Sequence, residues 1–222
     1  MWGRAPRWPV PRRVSWIAWS PVLFTRQHPE CAISLLVLKA APPEEVIFRN
    51  TVEALFNRAL GPKLTDRCVE RIRREGIDLR HRLEGFYSRE TFYRCVRILG
   101  EELFPDLGED ERMVQLGTTF MDGFEQTLIG KAALQASRFM GTRRTLARMA
   151  ENYRTSNNYQ KVEMREVGPG EMRITLSQTS GVSGYFEGAL RRALTLIGTR
   201  GLRVRREDDD GRRCTLCISW TP

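Results

Sequence analysis

Between Glu44 and Tyr153 apolar residues recur every three or four positions, and beyond Asn157 they alternate with polar ones. The first period is that of a helix buried along one stripe, and the second is that of a strand with one buried face. Val52, Leu55, Phe56 and Leu60 predict a helix over Thr51–Leu60, stopped by Gly61-Pro62. Cys68, Val69 and Ile72 predict a second over Leu64–Arg74, ending at Gly76. Ser88 has the short hydroxyl side chain of an N-cap, and Phe92, Val96, Leu99 and Leu103 follow as an apolar stripe that ends before Pro105. The strongest helical pattern is Met113, Leu116, Phe120, Phe124 and Leu128. Gly117 and Gly123 lie inside it and weaken a helix unless another element packs closely there. Two more helices are expected, at Lys131–Phe139 and Thr142–Tyr153.

The alternating part begins with Tyr159 to Glu166, where Gln160, Val162 and Met164 share one face. Gly168-Pro169-Gly170 turns the chain into a strand from Met172 to Ser177. A helix from Val182 to Ile197 precedes a second hairpin, Leu202–Glu207 and Arg212–Trp220, around Asp208-Asp209-Asp210-Gly211. The expected fold is therefore α+β: a helical N-terminal half packed with an antiparallel β-β-α-β-β C-terminal half.

Residues 1–42 do not share this patterning. Trp2, Trp8, Trp16 and Trp19 fall there, and Pro6, Pro9, Pro11, Pro21 and Pro29 forbid a helix of more than a few turns. The chain carries a net charge of +9, but six basic residues against the single acid Glu30 lie before residue 41. The rest of the chain is only mildly basic. A phosphate- or membrane-touching arm and a secretion signal are both readings of residues 1–42, although Pro21 breaks the apolar run of the latter. The preferred expectation is a disordered or misannotated extension, with residues 43–222 forming a single α+β domain. On that expectation a chain starting near Ala41 folds as stably as the full one, and its thermal midpoint falls by less than about 2–4 °C.

Five scattered cysteines are not a disulfide framework and favour a reducing, cytoplasmic setting. No apolar run is long enough to span a bilayer.

The motifs Leu55-Phe56-Asn57-Arg58-Ala59-Leu60, Gly76-Ile77-Asp78-Leu79, Leu116-Gly117…Phe120…Gly123…Thr127…Gly130, Gly141-Thr142-Arg143-Arg144-Thr145-Leu146-Ala147-Arg148-Met149 and Tyr153-Arg154-Thr155-Ser156-Asn157-Asn158-Tyr159 carry a resemblance. Over residues 43–220 the chain resembles the myxobacterial paralogous family known as domain of unknown function 2378. That family brings no established activity. Its layout is similar to the superfamily of haem–nitric-oxide-binding, 4-vinyl-reductase-like and vesicle-tethering domains. Members of that superfamily hold a haem, a small apolar effector or an acyl chain between helices and sheet. The resemblance thus implies a sensor-like binding module.

The polar constellations are weak carriers of chemistry. Cys214 and Cys217 have the spacing of half a zinc site, but on a strand they point to opposite faces, so no metal site is expected. His81, in Arg80-His81-Arg82, is the one imidazole of the domain and sits where exposure is the ordinary outcome. Asp208–Asp210 lack the spaced ligands of a calcium loop and read as a turn. Asp122 and Glu125, three apart on the strongest helix, are the candidate catalytic acids, with a solvated helix face as the simpler reading. Arg143, Arg144, Arg148 and Arg154 form the most suggestive cluster, suited to phosphate or an acidic partner. Phe120, Phe124, Phe139, Tyr185 and Phe186 are candidates to line an apolar pocket as well as to fill a core.

These readings point to a non-enzymatic module with no cofactor that binds a small apolar ligand or a protein partner, a second copy of the chain included. The alternative is binding of nucleic acid or an acidic partner through the Arg-rich helix. Nucleic acid is the less favoured of these because the domain lacks the interleaved aromatic and basic residues of single-strand binders.

Overall fold

The computed structural model describes residues 45–222, so the expectations for residues 1–42 lie outside the described residues. The helical half opens with a short strand β1 (Val46–Phe48) and helix α1 (Arg49–Val52), which continues as a π-helix over Glu53–Ala59. A 3-10 turn at Gly61–Lys63 precedes α2 (Asp66–Arg74), whose N-cap Thr65 accepts from the Cys68 amide at 3.2 Å. Strand β2 (Phe86–Ser88) leads into α3 (Arg89–Leu103). As expected, Ser88 caps α3, its hydroxyl accepting from the Thr91 amide at 3.1 Å.

Helix α4 (Glu109–Gln126) starts with Glu109, Asp110 and Glu111 against the positive end of its dipole. It is followed by α5 (Leu128–Met140), α6 (Thr142–Ala147) and α7 (Met149–Tyr153). The single helix expected over Thr142–Tyr153 is thus two short ones, parted at Arg148.

The second half is β3 (Val162–Gly168), β4 (Glu171–Ser177), α8 (Ser183–Leu196), β5 (Arg203–Asp209) and β6 (Arg213–Ser219). These four strands form one antiparallel sheet in the order β3-β4-β6-β5, so the two hairpins meet through β4 and β6. The alternation has its expected consequence. Met172, Ile174 and Leu176 of β4 and Cys214, Leu216 and Ile218 of β6 are buried on one face. They share a single core with Leu55, Phe56, Phe92, Leu99, Leu116 and Leu194 from the helices.

A pattern too short to read in the sequence joins the two halves. β1 and β2 pair antiparallel, and Ile47 also bridges Asn157, just ahead of β3. The Phe48 amide donates to the Ser156 carbonyl at 2.9 Å, and the Val46 amide to Asn158 Oδ1 at 2.8 Å. Asn157 Oδ1 in turn accepts from the Gln160 amide at 2.7 Å. The connection from the helices to the sheet is therefore held in place, which sets the position of Tyr159.

Candidate ligand site

Helices α4 and α8 cross at glycines. A Cβ on Gly117 would lie 1.9 Å from the Tyr185 carbonyl oxygen, and one on Gly188 would lie 2.0 Å from the Val114 carbonyl oxygen. Gly123 meets the π-helix that follows α1 in the same way, its Cβ position 2.1 Å from the Ala54 carbonyl oxygen. The two glycines inside the strongest helix are thus contact points for neighbouring backbone.

This close approach brings the aromatic residues together. Phe120 stacks on Phe124 with centroids 6.2 Å apart and lies 5.8 Å from Tyr185. Tyr185 meets Phe186 edge-on at 5.9 Å. Phe186 in turn faces Tyr93 at 6.4 Å and Tyr153 at 6.2 Å. Four of the five aromatic candidates therefore form one chain of contacts. Phe139 does not join it and is 85% exposed. Helix α5 buries Gly130, Leu134 and Ser137, and Phe139 projects from the opposite side, with Leu128 and Ile129 also exposed.

The sequence reading missed Tyr93, Tyr153 and Tyr159, which complete the cluster. Tyr159 Oη donates to Tyr93 Oη at 3.1 Å, and the Arg89 guanidinium lies 5.5 Å from the Tyr159 ring centroid. Arg89 also pairs with Glu45 at 2.8 Å and donates to Gln178 Oε1. Burial holds the hydroxyls of Tyr93, Tyr153, Tyr159 and Tyr185 protonated well above the usual phenol range. Tyr185 is 5% exposed, and among the described residues no group makes a hydrogen bond to its hydroxyl.

Just ahead of α8, Gln178 and Ser180 both adopt positive φ, 56° and 55°. Such a backbone is strained for side chains other than glycine and persists where surrounding contacts impose it. Arg97 donates to the Ser180 carbonyl at 2.6 Å and the Thr179 amide to the Arg212 carbonyl at 2.9 Å.

The arginine cluster is divided. Arg143 holds Glu166 with two bonds of 2.9 and 2.8 Å, so its charge is met inside the protein. Arg144, Arg148 and Arg154 are exposed and make no ion pair among the described residues. A denser network, not foreseen from sequence, surrounds Arg206. It donates to Glu187 Oε2 at 2.8 Å and Asp110 Oδ1 at 2.6 Å, and lies 3.3 Å from Asp209. That network fastens β5 to the first turns of α4 and α8.

Cys214 is in the core, whereas Cys217 lies on the other face, its Sγ 3.4 Å from Glu171. His81 is a surface residue bonded to Asp78 at 3.0 Å. Asp210 Oδ1 accepts from the Arg212 and Arg213 amides at 2.8 and 2.6 Å, closing the expected turn. Asp122 pairs with Arg192 at 2.7 Å, and Glu125 lies 3.9 Å from Arg138. No described helix is long and apolar enough to cross a membrane.

The fold is that of H-NOX domains. A Tt H-NOX carrying two substitutions superposes with a TM-score of 0.62 at 13% identity, over 79% of this chain and 96% of that one. A substituted, unliganded Fe(II) H-NOX from K. algicida gives 0.56 at 11% identity, covering 79% and 97%. An oxygen-binding H-NOX domain related to soluble guanylate cyclases, in its oxygen complex, gives 0.57 at 14% identity, covering 77% and 93%. No curated protein matches the sequence. The residues here do not fit a haem. The one histidine of the described chain, His81, is solvent-exposed and bonded to Asp78. Beside the aromatic cluster burial pushes the Cys214 thiol up to about 11 and holds the four phenols protonated. A family model matches residues 45–221, and the chain belongs to that family, described as protein of unknown function DUF2378.

Proposed function

We propose that this domain is a non-enzymatic, sensor-like module that binds a small, largely apolar molecule between α4, α8 and the residues that lead into the sheet. One observation carries the reading: Phe120, Phe124, Tyr185 and Phe186 form a continuous aromatic cluster running from half-buried α4 positions into the core. Ligand sites are lined mainly by such side chains, with a few polar groups to fix orientation. The likeness to H-NOX domains, one of which is an oxygen-binding domain, supports a small-ligand module. Native mass spectrometry of the protein from its own host tests the reading, with a co-purifying small molecule as the expected result. A bare-chain mass, together with no thermal stabilisation by a panel of small apolar compounds, overturns it.

A second reading rests on Arg144, Arg148 and Arg154, three exposed guanidinium groups whose charge the described protein leaves unmatched. They suit an acidic partner. Affinity for such a partner falls steeply with added salt, and binding that stays flat between low and moderate salt excludes this reading.

A further inference from the structure

Tyrosines at buried positions ordinarily find a partner for the hydroxyl. Two patterns in this protein obey that rule. Tyr87 Oη accepts from the Glu84 amide at 2.9 Å, and Tyr159 and Tyr93 bond one another at 3.1 Å. Tyr185 departs from it, being 5% exposed with a hydroxyl that no group among the described residues meets. Leaving a buried donor unmet is costly. The backbone that carries it is pinned, because the Tyr185 carbonyl presses on Gly117 and the neighbouring Gly184 and Gly188 press on Asp110 and Val114.

We propose that Tyr185 Oη is the hydrogen-bond donor of an internal binding site for small, uncharged carbonyl compounds with an apolar body. The inference rests on the small-ligand reading above and adds the chemistry of the ligand. Three features select this class. The missing group is an acceptor, and a carbonyl oxygen accepts an O–H bond while leaving the rest of the molecule apolar. The groups that act electrostatically on Tyr185 are Tyr93 and Tyr153, both uncharged phenols, so nothing there offsets the burial of an anion. The apolar body is provided for by Phe120, 5.8 Å from Tyr185, and by Phe186 at 5.9 Å. Phe120 stacks on Phe124, and both are only half-buried, so the cluster reaches the surface along α4.

The test compares acetophenone with α-methylstyrene, which replaces the carbonyl oxygen by a methylene group of similar shape. Dissociation constants are measured by ligand-observed NMR on the full chain and on its Tyr185→Phe variant. The native protein is expected to prefer acetophenone by roughly fivefold or more, the worth of one neutral hydrogen bond. Tyr185→Phe brings the ratio to about one and leaves α-methylstyrene binding unchanged. Without either compound, the thermal midpoint of Tyr185→Phe is expected to be no lower than that of the native chain, since the variant removes an unmet donor. Equal affinities in the native protein, or a preference that survives Tyr185→Phe, overturn the inference while the apolar site stands. A clear fall in midpoint also overturns it, because it means that a protein acceptor already satisfies Tyr185. Failure of both compounds to bind counts against the small-ligand reading itself.

Discussion

The Tyr185 carbonyl oxygen occupies the space that a side chain on Gly117 would need, 1.9 Å from the Cβ position. Helices α4 and α8 consequently touch backbone to backbone, and no side-chain rotation can relieve an added methyl group. Gly117→Ala is expected to cost about 3 kcal/mol or more, at the upper end for overpacking. Gly85→Ala, where nothing lies within 4 Å of the new atom, serves as the control. That change is expected to stay within about 0.5 kcal/mol. Urea denaturation of both variants checks the pair, and equal midpoints would mean that the helices separate more readily than the contacts indicate.

Removing Arg206 leaves Glu187, which is 8% exposed, with Arg191 as its one remaining ion-pair partner among the described residues, and unties β5 from Asp110 on α4. The arginine is itself partly open to solvent, so the loss falls between that of an exposed and a buried pair. Arg206→Met is expected to destabilise by about 2 kcal/mol. The double variant with Glu187→Gln should recover part of that loss, which a double-mutant cycle in chemical denaturation measures.

Alkaline pH should unfold the protein through its tyrosines. Tyr93, Tyr153, Tyr159 and Tyr185 all ionise above the ordinary phenol value of 10.0, because burial disfavours the phenolate. Below pH 10 these groups are protonated in both folded and unfolded chains, and their contribution is fully present. Above it the unfolded chain releases protons that the folded one keeps, and stability falls by up to about 1.4 kcal/mol per phenol per pH unit. Thermal midpoints should therefore drop steeply beyond pH 10, with phenolate absorbance appearing together with unfolding. A smooth phenolate titration of the folded protein near pH 10 would contradict this.

Thiol reactivity should separate the two cysteines of β6. Burial pushes Cys214 up to about 11, and its side chain is sealed in the core. Cys217 lies on the other face of the sheet beside Glu171. Under native conditions at neutral pH, iodoacetamide is expected to label Cys217 before Cys214, with both labelled after denaturation. Peptide mass spectrometry reads the order.

The extent to which these features are legible in the sequence depends on how many residues share in the signal. Long amphipathic stretches such as Met113–Leu128 state their helix and its buried face, and both hairpins are announced by alternation around Gly-Pro-Gly and Asp-rich turns. The strands Val46–Phe48 and Phe86–Ser88 are three residues each, too short for a period to show. The π-helical winding of Glu53–Ala59 leaves the apolar spacing almost unchanged, so it too is silent. In the site, Phe120, Phe124, Tyr185 and Phe186 were visible as aromatic positions on strong patterns. Phe139 was misleading because α5 is apolar on several sides, with Leu128, Ile129 and Phe139 outside and only Gly130, Leu134 and Ser137 buried. Tyr159 was hidden because its place is set by the Asn157 and Asn158 bonds to neighbouring backbone, which no local pattern encodes.

The strand order β3-β4-β6-β5 also constrains how the chain reaches this structure. Each hairpin closes over a tight turn, which takes microseconds. Their union, in which Glu171 meets Ser219 and Ser177 meets Arg213, closes a loop that contains all of α8. That loop is entropically expensive until α8 is already a helix resting on Gly117, so the central seam of the sheet is the late step of folding. Substitutions at the α4–α8 crossing should accordingly slow refolding, whereas those at the β4–β6 seam should chiefly hasten unfolding.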